Sequence, residues 1–103
     1  MTETDIVIDE KIDEIILEPP MYKVVLLNDN ETPMEWVIEV LVSIFKHSET
    51  TAKEITLTIH NEGSGLAGIY SYEIAEQRSL EAVSASRERG FPLQIKLEEE
   101  WAI

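Results

Sequence analysis

A β-rich run of six residues, Tyr22-Lys23-Val24-Val25-Leu26-Leu27, leads into Asn28-Asp29-Asn30 and then into Thr32-Pro33-Met34-Glu35. No other stretch constrains the fold as much. Val24 and Val25 favour a strand, and the Asn and Asp side chains that follow bond readily to nearby backbone and end it. Thr32 and Glu35 then stand at capping-box spacing, with proline at the first helical position, which predicts a helix start. Met34, Val37, Ile38, Leu41, Ile44 and Phe45 continue it as one apolar stripe with a helical repeat.

The rest of the chain alternates in the same manner. Ser48 to Thr51 is a second start signal, with Thr51 and Glu54 again at capping-box spacing; Ala52, Ile55 and Ile59 share the face that follows, and Gly63 and Gly65 are the expected stop. Leu66 to Tyr70 reads as a short strand. Tyr72 to Arg89 reads as the longest helix, with Ala75, Ala82 and Val83 inward and Gly90 as its left-handed end. Leu93-Gln94-Ile95-Lys96-Leu97 alternates with period two, a half-buried strand. The order β-α-α-β-α-β predicts an α+β sandwich, one sheet with helices on one face.

Ahead of this body, residues 1–18 hold seven acidic residues and one lysine, and their apolar residues fit neither period. Pro19-Pro20 punctuates the junction. The expected organisation is a flexible acidic N-terminal extension over 1–19 and a core domain over 20–103. The alternative is that the extension orders on a partner.

Composition removes whole classes of function. A net charge of −13 opposes any partner held through phosphates, so no nucleic acid is expected. With no cysteine there is no disulfide, thiolate metal site or cysteine nucleophile. The apolar runs are far too short for a membrane span, and Met-Thr-Glu-Thr-Asp has no signal-like core, which predicts a cytoplasmic protein. His47 and His60 make no metal-ligand spacing, and Gly63-Ser64-Gly65-Leu66-Ala67-Gly68 lacks the lysine of a phosphate loop. No metal and no cofactor are therefore expected. Asp29 with His60 is an imaginable acid–base pair, but no second activated group or oxyanion-hole signature accompanies it.

One constellation remains. Asn28, Asp29 and Asn30 deliver polar side chains next to a helix start, Met34 and Val37 follow, and Thr56, Ile59 and His60 share a face of the next helix. Together they describe a polar rim around an apolar cavity. Each also has a plainer reading: turn chemistry for the Asn-Asp-Asn run, core for Met34 and Val37, and a helix-dipole partner for His60.

Residues 20–100 resemble the ClpS adaptor family. The resemblance rests on Pro20-Met21-Tyr22-Lys23-Val24-Val25-Leu26-Leu27-Asn28-Asp29-Asn30, on Thr32-Pro33-Met34-Glu35-Trp36-Val37 and on Ile59-His60 followed by Gly63. It continues through Gly68-Ile69-Tyr70, Glu73-Ile74-Ala75-Glu76 and Gly90-Phe91-Pro92-Leu93. It implies a three-stranded antiparallel sheet covered on one face by three helices. It also implies an adaptor without catalytic activity, a monomer with one core domain, that brings N-degron proteins to the ClpAP protease. In that family Asn28, Asp29 and His60 would hold the free α-amino group of residue one. Thr32, Met34, Val37, Thr56, Ile59 and Leu93 would surround its large apolar side chain (Phe, Leu, Trp or Tyr), with Asn30 at the rim. Glu73 and Arg78 would dock on the N-terminal domain of the ClpA unfoldase.

Two departures bear on this. Asn30 stands where the family more often has a second Asp, and Thr56 where it usually has Met. Trp36 replaces the usual Phe and is expected to face away from the pocket. The departures keep open an alternative, a module that modulates ClpA but has lost or altered N-degron binding.

Overall fold

The computed structural model describes residues 20–100; the extension expected over 1–19 lies outside the described residues. The chain forms β1 (Met21–Leu27), α1 (Met34–Ser43), α2 (Glu49–Glu62), β2 (Ser64–Tyr70), α3 (Tyr72–Glu88) and β3 (Gln94–Glu100). Both neighbours of β1 run antiparallel to it, in the order β2-β1-β3. The α+β architecture expected from the sequence is the one observed.

The most apolar strand takes the central place. Val24 and Leu26 are fully buried on the face that meets the helices, in one cluster with Val40, Leu41, Ala52 and Ala75. Burying a side chain such as Leu26 or Leu41 contributes roughly 1.5–3 kcal/mol. Lys23, Val25 and Leu27 alternate to the other face, where Val25 lies opposite Leu66 and Lys96. The β1–β2 register shifts between Val24 and Val25, leaving Ala67 as an extra residue. Its methyl joins the core and its carbonyl accepts a hydrogen bond from the His47 ring, so His47 serves the fold.

Two glycines set the distance between α2 and the sheet. Gly63 ends α2 with φ 95°, a conformation other residues resist, and donates its N–H to Ile59 O. At Gly65 a Cβ would fall 2.7 Å from Ile59 Cγ1, so the missing side chain lets the helix lie directly on β2.

Helix caps depart from the sequence reading. Thr32 does not cap α1: Pro33 holds the N-cap position rather than the first helical turn, with no side-chain cap bond, and the Thr32 hydroxyl is engaged by Asp29. At α2 the start does fall within Ser48 to Thr51, as expected, but Thr51 is not the cap. Ser48 is its cap, accepting from Thr51 N–H at 3.2 Å, and the helix begins at Glu49. At α2 a residue upstream supplies the acceptor first, while α1 starts without any side-chain cap. On α3 the buried face is Ala75, Ser79, Ala82 and Ser86, while Val83 is only half-buried; small side chains let this helix settle against the sheet. Among the described residues no helix is long and apolar enough to cross a membrane.

Candidate functional site

The end of β1 and the end of α2 are tied together by one backbone bond, Asn28 N–H to Gly63 O at 2.9 Å. His60 lies in the last turn of α2, exposed, three residues before Gly63. Asn28 is exposed and Asp29 half-buried on the adjoining segment. The polar residues singled out from sequence therefore belong to two chain segments that meet. The negative end of the α2 dipole lies at this edge and favours a cation.

Asp29 is held in place by its own turn. Its Oδ1 accepts from Glu31 N–H at 2.8 Å and Thr32 N–H at 2.7 Å, and its Oδ2 accepts from the Thr32 hydroxyl at 2.8 Å. Partial burial pushes the carboxyl up, but the Thr32 hydroxyl and the two N–H groups outweigh it, so the group sits below the usual carboxylate value. A carboxylate has about four acceptor positions. Three are filled here, which leaves Oδ2 able to accept one more donor.

The apolar candidates divide by depth. Met34, the first residue of α1, is 38% exposed, whereas Val37, Ile59 and Leu93 are buried. Thr56 is buried as well, its hydroxyl donating to Ala52 O at 2.8 Å within its own helix. Thr32 is half-buried and Asn30 exposed. Three surface cavities, of about 520, 350 and 200 Å³, are lined by other residues than Met34, Val37, Thr56, Ile59 and Leu93. Glu73 and Arg78 lie apart on α3: Glu73 is exposed in its first turn, and the Arg78 guanidinium stacks 4.9 Å from the Tyr70 ring centre.

Sequence reasoning missed one buried polar contact that bears on α1. Trp36 Nε1–H donates to Ser86 Oγ at 2.8 Å, and that hydroxyl in turn donates to Ala82 O. The Phe91 ring lies 6.0 Å from the indole and Arg89 sits over it at 4.5 Å. This cluster clasps α1, at Trp36 between Met34 and Val37, to the end of α3 and the segment that leads to Leu93. Its sequence signal was Ser86 on the small-residue face of α3, where a serine needs a donor or acceptor when buried. Among the described residues no cluster of three acidic, histidine or cysteine side chains suits a metal ion.

Comparison with known proteins gives the same result at every level. A family model described as the ATP-dependent Clp protease adaptor protein ClpS matches residues 17–96. A ClpS adapter from Campylobacter jejuni is 48% identical over 83 residues, 81% of this chain and 86% of that protein. One from Burkholderia cenocepacia is 43% identical over 101 residues, 90% of this chain and 97% of that protein. The solved structure of Agrobacterium tumefaciens ClpS2 bound to L-phenylalaninamide superposes with a TM-score of 0.78 at 41% identity, covering 81% of this chain and all of the other.

Proposed function

The chain belongs to the ClpS family and is a Clp protease adaptor rather than an enzyme, and from that premise we propose that it binds N-degrons. It takes the free α-amino group and the large apolar side chain of a first residue, Phe, Leu, Trp or Tyr, and delivers the protein to the ClpAP protease. The observation that carries this reading is the Asn28–Gly63 bond, which joins the Asn28-Asp29 segment to the helix end bearing His60.

An α-ammonium is a compact cation with three donors. In this reading the Asn28 side-chain oxygen, the open position on Asp29 Oδ2 and a His60 ring nitrogen accept them. Ionised Asp29 supplies the opposing charge, and its turn keeps it from reorganising when the ligand arrives. Met34 is the exposed, flexible member of the apolar group, and its movement opens the way to Val37, Thr56, Ile59 and Leu93. Because the Thr56 hydroxyl is satisfied within its helix, its methyl is left to meet an apolar side chain. That favours binding over its loss, despite Asn30 and Thr56 departing from the family pattern.

The magnitudes are adequate. Charge-assisted hydrogen bonds contribute about 1.5–3 kcal/mol each, and burial of one Phe or Leu side chain about 1.5–3 kcal/mol. Part is offset by lost motion on association. The balance corresponds to roughly micromolar affinity, about 8 kcal/mol, which suits a carrier that must release its cargo. Glu73 and Arg78 dock on the ClpA N-terminal domain, the extension over 1–19 engages the unfoldase during handover, and the adaptor works as a cytoplasmic monomer.

Calorimetric titration tests the proposal. A peptide beginning with Phe binds, and its N-acetylated copy binds at least about a hundredfold more weakly, because acetylation removes the charge and leaves acceptors covered by the peptide unpaired. Equal affinities would overturn it.

A further inference from the structure

The outer side of the α1–α2 pair carries a groove of about 520 Å³ that the N-degron reading does not use. Ile38 and Val42 of α1 form its floor, and Val42 is 37% exposed. Glu35 and Glu39 of α1 and Glu49 and Lys53 of α2 form its rim. The Lys53 ammonium stands 4.0 Å from Glu49, and both side chains are largely exposed, so this pair holds little of the rim charge in place. Glu35 and Glu39 make no ion pair among the described residues.

We propose that this groove docks a basic amphipathic segment of a different protein, its apolar residues on Ile38 and Val42 and its Lys or Arg residues against Glu35 and Glu39. Charge selects the occupant. The chain as a whole carries −13 and its first 18 residues hold seven acidic residues against one lysine, so a second copy and the chain's own extension are both repelled by an acidic rim. Geometry sets the length. The α1 residues on the groove run from Glu35 to Ser43, about 12 Å at 1.5 Å per residue. Two turns of a partner helix, or about four extended residues, cover that distance. The apolar floor between separated carboxylates fits a helix face with one apolar stripe and flanking cations, and rejects a uniformly charged polycation.

The groove is distinct from the N-degron site, so the probe is chosen to leave that site empty. An N-acetylated peptide of about 14 residues, leucine and lysine at helical spacing, is titrated by fluorescence anisotropy against the full chain. It is expected to bind wild type and to bind Glu35→Lys/Glu39→Lys at least about tenfold more weakly. The control Glu81→Lys/Glu88→Lys, which makes the same change in net charge on α3, is expected to bind within about twofold of wild type. L-Phenylalaninamide binding should be the same in all three proteins, which separates failure here from failure of the N-degron reading. Equal loss in both double variants would mean attraction to net charge alone and would overturn the proposal. So would equal binding of a peptide with glutamate in place of lysine, no binding to wild type, or a concentration-dependent dimer that Val42→Asp abolishes.

Discussion

The starts of α1 and α2 look alike in sequence and are built differently. Each has threonine and glutamate at capping-box spacing, and in neither does the threonine cap the helix: Ser48 does so at α2, and α1 has no side-chain cap. At α2 a neutral hydroxyl, Ser48 Oγ, holds one N–H at 3.2 Å. Ahead of α1 the Asp29 carboxylate holds two N–H groups and a hydroxyl, all within 2.8 Å. The first arrangement does no more than finish a helix. The second finishes a turn and also fixes a negative charge, with one acceptor position open, beside the end of α2. In the proposed function, a local structural need and a binding need would be met by this one side chain.

Mutation should separate the two starts. Asp29→Ala removes the charge and the turn together, and is expected to weaken binding of a Phe-first peptide by about 10- to 100-fold, the value of one charge-assisted bond. Wild-type affinity in that variant would reduce Asp29 to a structural cap. Next in size comes the buried clasp on α1. Ser86→Ala strands the Trp36 N–H and should cost about 1–3 kcal/mol in urea unfolding, most of it recovered by adding Trp36→Phe, which removes both partners. Failure of the second change to restore stability would show that the pair contributes through shape alone.

Ser48→Ala is expected to cost about 1 kcal/mol and to leave peptide affinity unchanged. A loss of affinity would mean that the two starts are not separable. The smallest effect is with acid. Asp29 is held below its unfolded value, so its contribution is complete above the usual carboxylate range and fades as pH falls through its folded value. Amide exchange at Glu31 and Thr32 should therefore lose protection in acid relative to Thr51, whose acceptor is a hydroxyl and does not titrate there. Parallel loss at all three would point to general unfolding.

Periodicity made the six elements and their order legible, because Val24 and Leu26 alternate as a strand demands and Val37, Leu41 and Ile44 recur as a helix demands. The caps differ from the spacing rule because it cannot tell that Ser48 reaches the Thr51 N–H at α2, or that the Thr32 hydroxyl is taken by Asp29 ahead of α1. Of the candidate site, the Asn28-Asp29 segment and His60 were visible as residue types, and their joining through Gly63 was not, since it depends on how α2 lies on Gly65. The Trp36–Ser86 contact spans fifty residues, so the small-residue face of α3 shows that Ser86 needs a partner but not which one. Met34 reads as a core residue from its position on the α1 stripe and lies exposed at the first position of that helix, while Trp36 and Val37 of the same turn are buried in the core cluster.

The most direct measurement is a crystal structure of the chain with a Phe-first peptide. The ammonium nitrogen is expected about 3 Å from oxygen of Asn28 and Asp29 and from a ring nitrogen of His60, with Met34 displaced and the phenyl group against Val37, Ile59 and Leu93. An ammonium facing solvent, or a peptide seated elsewhere with Met34 unmoved, would contradict it.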